Sequence, residues 1–439
     1  MSETPIENHS FIQKIAELIK ARNYPMEDLH VIVPSDRAAN QLRVEIARLF
    51  SKPIFAPKIE TIDKWMKPEN LVVVDETRQL LSLYEVSKLI PNIPNSNFEE
   101  FLSWGKIILR DFNEIDRYLL DAGAVFKNLA SIKELESWQI DEEDYSESQK
   151  KFLGFWDVLP ELYDLFHKSL SSKGQLNAGR AYKLFSEAEH GFLSPVSKTQ
   201  FIFAGFNALS KAELVIIKRI IDAKKGSFIS DSDALYMNDA LHEAGSFLRK
   251  NHEFLGVEYL PKPLNQLLKK KLNAQFIECA QHIGQVKVAA NELSKLSTKE
   301  LNETLVLLCD EALIGSMINH IPKNVAKTNL TLGLPLTQTA VKSWVDLLFQ
   351  IQENKVKFQT DSIYFYDLQR FINHSFTISS LSLDEVQKLG EVERNAIRFN
   401  KIFQNISSLQ QSKELSIFCG LAFENWNENW SKALLNIRA

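Results

Sequence analysis

Two places in this chain set an aspartate beside a glutamate at the end of an apolar run. They are LVLLCDEALI (305–314), with Asp310–Glu311, and LVVVDETRQLL (71–81), with Asp75–Glu76. A buried strand ending in such a pair is how nucleotide hydrolases present one carboxylate to Mg²⁺ and a second to the attacking water. That chemistry also needs G-x-x-x-x-G-K-[ST], whose backbone N–H groups cradle the phosphates and whose lysine neutralises them. No match occurs in the chain, and residues 7–30, before the first strand-like run, hold no glycine. Without that loop neither pair has a metal to hold. Each is expected instead to cap and open a helix, Asp310 for EALIGSMINHI and Asp75 for ETRQLLSLYEV.

Other arrangements offer less. The nine histidines are scattered, with no H-E-x-x-H and no Cys/His cluster for zinc. There is no G-x-S-x-G elbow. Asp222-Ala-Lys224 has an acid-x-lysine spacing, but it closes a helical pattern where a metal-dependent nuclease needs a strand. In SDSD (230–233) Asp231 and Asp233 are spaced for a metal and lack further ligands, so a turn with an Asx cap is expected. Cys279, Cys309 and Cys419 are odd in number and form no C-x-x-C, which points to a reducing compartment. Cys309, inside an apolar run, is expected as a small buried hydrophobe. No catalytic residue, metal or cofactor is assigned.

The elements that would carry these residues follow from hydrophobic periodicity. FIQKIAELIKARNY (11–24) is helical, with Phe11, Ile15, Leu18 and Ile19 on one face. VIVP is a short buried strand, PSDR a turn and AANQLRVEIARLF a helix; PKIETIDKWM (57–66) is another short strand leading into a helix. From about 76 to 190 the pattern is almost wholly helical. It includes an acidic stretch (134–149) without Lys or Arg, expected as a solvated loop. Strand, helix and strand return at TQFIFAGF (199–206), KAELVIIKRIIDAKK and GSFISDSDALY (226–236). FIECAQHIGQVKVAANELSKL (276–296) and ETLVLLCDEALIGSMINHI (303–321) begin a further α/β segment, and the chain is mostly helical from about 338.

A helical block interrupting an α/β pattern implies an inserted subdomain, because both flanks are needed to complete one sheet. Strands near 31–34, 71–74, 201–204 and 227–230 are expected in that sheet. At 439 residues the chain can hold two or three domains. Its formal charge of −5 leaves any nucleic-acid contact to a local groove. MSETPIENHSF has no signal-peptide pattern and no stretch has the length of a membrane span, so a cytoplasmic, membrane-free protein is expected.

The order of the segments carries a resemblance. VIVPSDRAANQLRVEI resembles the strand–turn–helix of motif Ia in UvrD-type superfamily 1 helicases, and KIETIDKWM the Thr-containing motif that follows. FIFAGFNALSKAELVIIKRII with FISDSDALY resembles motifs II and III, but Ala204-Gly205 stands at the acidic pair. Asp231 falls in the motif III turn, and Ala234 stands at its glutamine. FLSWGKIILRDFNEIDRYL, FIFAGFNALSKAE, HIGQVKVAANEL, LVLLCDEALIGSMINHIP and TNLTLGLPL are similar to the AddB-like family of inactivated superfamily 1 helicases fused to a nuclease domain. The likeness covers most of residues 10–350.

The resemblance implies an α/β fold of RecA-like (P-loop NTPase-like) domains with large all-helical insertions. A first RecA-like domain would take 1–75 and 195–270, interrupted by a helical domain at 76–194. A second would start at 271–350, with its own helical insertion at 351–439. It implies an AddA-like helicase subunit as partner, in a helicase–nuclease that processes double-strand DNA ends in repair and recombination. The family's PD-(D/E)XK nuclease domain has no counterpart here, so the chain is expected to be the N-terminal part of a longer protein. By position, Ser35, Arg37, Thr61 and Lys64 would hold a single-strand backbone, with Trp65 as a base-stacking platform. Ser35 could equally cap a helix and Trp65 could equally be core. The function implied is a non-catalytic, DNA-contacting scaffold. The alternative is a protein–protein adaptor that uses the degenerate fold without touching DNA.

Overall fold

Leu29–Val33, LHVIV, is buried at all five positions. A strand covered on both faces by helices requires such a continuous apolar run. The computed structural model describes residues 10–430 apart from 23, 51–52, 69, 92, 94–96, 137–146, 270–272, 334, 410–411 and 427–429. The acidic stretch 134–149 therefore lies largely outside the described residues. The chain divides into two units, residues 1–273 and 274–439.

The first unit begins with α1 (Phe11–Arg22), β1 (Leu29–Val33), α2 (Asp36–Leu49), β2 (Lys58–Thr61) and the one-turn α3 (Ile62–Trp65). After β3 (Val72–Val73) come four long helices: α4 (Glu76–Ser87), α5 (Phe98–Arg117), α6 (Ala122–Glu136) and α7 (Glu147–Ser171). Then follow β4 (Gln175–Leu176), α8 (Ala178–Glu187), β5 (Gln200–Ala204), α9 (Lys211–Asp222), β6 (Gly226–Ile229), α10 (Ala234–Asn238) and α11 (Ser246–Leu255).

The central sheet is parallel throughout, in the order β2-β1-β5-β6. Alternate residues serve opposite faces. Val31, Val33, Ile202 and Ile229 pack with Ile15, Ile19, Leu42 and Ile46 of α1 and α2. Ile32, Phe201, Phe203 and Phe228 pack with Trp65, Tyr182, Ile216, Ile220 and Leu255 on the other side. Local caps set the helix starts: Ser210 and Glu213 make a capping box for α9.

VIVP and FIFAGF thus share one sheet, as expected, although the helical block separates them in sequence. Closing a loop over such an insertion costs little more than over a short one, because the entropy grows as the logarithm of length. The block has a core of its own, built on Leu83, Phe101, Phe112, Leu159, Leu162 and Phe166. One expected strand is elsewhere. Val72–Val73 pairs with Gln175–Leu176 in a separate two-stranded ribbon. The reason is that β2 already occupies the place beside β1, while Val74 is drawn into the helical core.

The second unit contains α12 (His282–Ser294), α13 (Thr298–Asn302), α14 (Ile314–Asn319), α15 (Ala340–Phe358), the strand β7 (Ile363–Tyr364), α16 (Phe365–Ile372), α17 (Ser375–Ser380), α18 (Leu383–Arg398), β8 (Phe403–Gln404) and α19 (Lys413–Phe423). β7 and β8 pair antiparallel. The helices from α15 onward share a core that includes Leu348, Phe371, Leu389 and Phe423.

Two expectations fail in this unit. FIEC and LVLLC form no strand, and Cys309 is exposed, not buried. Leu305 and Leu307 are 82% and 77% exposed. Among the described residues no backbone hydrogen bond joins 305–308 to a neighbouring strand. An apolar run becomes a buried strand only when another strand lies beside it. No helix among the described residues is long and apolar enough to cross a membrane.

Candidate nucleic-acid interface

The four parallel strands end at one edge of the sheet, where ligands gather in open α/β folds. β1 and β2 are in register there, with Val33 opposite Thr61, so the turns that follow them lie side by side. Ser35 has extended backbone angles, and its Oγ accepts a hydrogen bond from the Ala38 N–H at 3.2 Å. It is the N-cap of α2, so its hydroxyl oxygen is engaged in starting the helix. Arg37, in the first turn, is exposed. Lys64 Nζ lies 2.6 Å from Asp36 Oδ1 and ties the two turns together.

Thr61 and Trp65 turn inward. Thr61 is buried and makes no side-chain cap for α3. Trp65 is 7% exposed, with the rings of Phe185, Phe203 and Phe201 at 5.0, 5.5 and 5.6 Å. Ile62 and Trp65 are three apart on a one-turn helix and share the face that meets the sheet. Trp65 is core, which corrects its reading as a stacking platform.

Sequence reasoning missed a second cluster at this edge. Asp63 accepts a hydrogen bond from the Tyr182 hydroxyl, and Arg117 Nη2 stands 3.6 Å from the same carboxylate. The Arg117 guanidinium also lies over the Tyr182 ring at 4.3 Å. Burial, then the hydrogen bond to Asp63, push the Tyr182 hydroxyl well above its ordinary range. No local sequence signal links α3, α5 and α8; the grouping is made by packing alone.

Ala204 ends β5 inside the core, 1% exposed. Gly205 has φ +81°, with Phe11 and Pro34 close to where a Cβ would stand. Only glycine fits that turn without strain. Beyond β6, Asp231 lines a cavity of about 370 Å³ together with Phe11, Gly205, Ser232 and Tyr236. Burial raises the Asp231 carboxyl, with Lys14 opposing. Asp233 is the Asx cap expected of SDSD. It accepts hydrogen bonds from the N–H groups of Leu235, Gln266 and Leu267 at 3.0, 2.9 and 3.3 Å, and these hold its carboxyl low against the effect of burial. Ala234 is the first residue of α10 and brings no functional group.

The acidic pairs behave as caps. Asp75 accepts from Arg78 N–H and Asp310 from Ala312 N–H, each at 3.0 Å. Asp222 pairs with Lys218 at 2.8 Å on α9, and Lys224 follows with φ +58°, so that triplet is a helix end. Among the described residues no three His, Cys, Asp or Glu side chains are grouped to hold a metal.

A scan against protein-family models finds no match, and a search of curated proteins finds none either.

Proposed function

We propose that this chain is a helicase-like, non-catalytic scaffold of a DNA-end-processing helicase–nuclease, working beside an AddA-like motor subunit. In this reading the parallel sheet of the first unit is a RecA-like domain and the helices between β2 and β5 are its insertion. The single observation that carries the DNA contact is the registered ending of β1 and β2. It places Ser35, Arg37 and Lys64 along one border, on turns where a phosphate backbone can reach hydroxyl, backbone and cationic donors. Asp36 and Asp63 set two carboxylates among those cations, so the binding is weak and salt-sensitive. Ala204-Gly205, at the position of the acidic pair in active motors, fits a role without ATP turnover.

Exposed aliphatic residues at 305–307 and the net charge of −5 favour a second reading, a protein–protein adaptor without DNA contact. Binding of labelled single-strand, duplex and forked DNA at two salt concentrations separates the two. Scaffold binding falls with added salt. An adaptor leaves every DNA unbound even at low salt.

A further inference from the structure

Three helices of the inserted block meet at a polar centre that the DNA reading does not use. Asp116, on α5, is fully buried. Tyr163 and His167 of α7 reach it: the Tyr163 hydroxyl donates to Oδ1 at 2.5 Å, and His167 Nε2 lies 3.1 Å from Oδ2. From α8, Arg180 Nη1 and Lys183 Nζ stand 3.5 and 3.9 Å from Oδ1. Both distances are longer than the roughly 2.8 Å of a charge-assisted hydrogen bond. Burial works against the Asp116 carboxylate, yet His167, Tyr163 and Arg180 together hold it below its usual range. One carboxylate therefore serves two permanent cations and a histidine.

A cavity of about 340 Å³ opens beside this centre, lined in part by Arg180, His167, Lys168, Ser171 and Gln175. Asp164 also lines it and offsets the charge of Lys168, four residues on along α7. With Lys183 and Asp116 behind the wall, three permanent positive charges face two negative ones. The cavity also borders the first turn of α8. That turn is held by Asn177 Oδ1, which accepts from Arg180 N–H at 3.0 Å, and by Asn113 Oδ1, which accepts from Gly179 N–H at 2.8 Å. Gly179 is needed there, because a Cβ would stand 2.4 Å from the Asn113 carbonyl oxygen. Asn177 is fully buried, and its Nδ2 has no hydrogen-bond partner among the described residues. A helix clamp alone explains Asp116 and Tyr163. It does not explain an open cavity with Arg180 and Lys168 on its wall.

We propose that this cavity binds a phosphate monoester. Arg180 and Lys168, both on the cavity wall, supply the charge and the N–H donors for the phosphate oxygens. The volume is larger than a phosphate group, so part of the ester's carrier enters as well. That carrier is either a small phosphorylated compound or the terminal nucleotide of a 5′-phosphorylated DNA strand. Only the second depends on the scaffold reading.

Calorimetric titration of the full chain tests this, with inorganic phosphate and with a short oligonucleotide bearing either a 5′-phosphate or a 5′-hydroxyl. Lys168 is exposed, so Lys168→Gln keeps the fold, and its unliganded melting temperature should match that of the parent. Phosphate should bind saturably at one site. Lys168→Gln and Arg180→Gln should each weaken it about tenfold, the effect of one lost charge-assisted hydrogen bond. An oligonucleotide preference that depends on the 5′-phosphate and falls in both variants would support the site and identify a DNA end as its source. Saturable phosphate binding without that preference would support the site with a soluble compound as its source. Absence of saturable phosphate binding, or binding unchanged in Lys168→Gln, would overturn the proposal.

Discussion

Lys64 Nζ sits 2.6 Å from Asp36 Oδ1, bridging the turn after β2 to the first turn of α2. Both side chains are more than half exposed, so the bridge adds less than about 1 kcal/mol to stability. Its larger effect is to occupy a cation at the edge where DNA is proposed to lie. Asp36→Asn should release Lys64 and tighten single-strand binding several-fold at low salt, with the melting temperature nearly unchanged. Fluorescence anisotropy reads the first and thermal unfolding the second. Weaker binding in Asp36→Asn would mean that the bridge itself shapes the surface.

Trp65→Ala should behave as a core truncation. Removing a buried tryptophan costs about 3–5 kcal/mol, because the surrounding rings cannot close the cavity. Urea unfolding of the first unit's sheet would show it. A loss of DNA affinity with stability intact would restore Trp65 as a stacking platform.

The sheet should weaken in acid through His30. This buried residue of β1 faces Glu60 of β2, with Nε2 and Oε1 2.7 Å apart. Burial first, then Lys58, bring the imidazole from 6.5 down to about 4, with Glu60 opposing. The unfolded chain therefore takes up a proton that the folded chain refuses. Stability is full above the unfolded value and falls as pH drops from 6.5 toward 4, by at most about 3 kcal/mol. His30→Gln should flatten the melting temperature across that window. An equally steep decline in the variant would place the acid sensitivity elsewhere.

The purified chain should not turn over ATP, with or without DNA. Asp310 and Asp75 are occupied as helix caps, and no phosphate-binding loop exists in the sequence. A coupled phosphate-release assay should stay at background. DNA-stimulated turnover lost in Asp310→Asn would contradict the account.

The parts legible in the sequence were those decided locally. VIVP and FIFAGF are continuous apolar runs, and such runs belong between two helical layers. Asp75, Asp310, Ser35 and Asp233 are short side chains placed just before helix starts, so their capping needs nothing distant. What failed depended on partners. β2 is buried at only two of its four positions and looks weaker than LVVV, yet it won the place beside β1. LVLLC has strand composition but no described strand beside it. Which face of a one-turn helix meets a sheet decides whether Trp65 is core or platform, and spacing alone could not choose. The Asp116 centre gathers residues from three separate helices, and no stretch of sequence announces it.

The central claim is a DNA contact at the shared ending of β1 and β2, and Arg37→Ala tests it most directly. Arginine keeps its charge at every working pH and can donate several hydrogen bonds to one phosphate. Single-strand binding measured across a salt series should weaken by about 1–2 kcal/mol in the variant. The dependence of log affinity on log salt should become shallower by about one unit, while thermal stability is retained because Arg37 is an exposed first-turn residue outside the core. Unchanged affinity and slope in Arg37→Ala, with the parent binding DNA, would contradict this interface; no binding by the parent at low salt would contradict the scaffold reading itself.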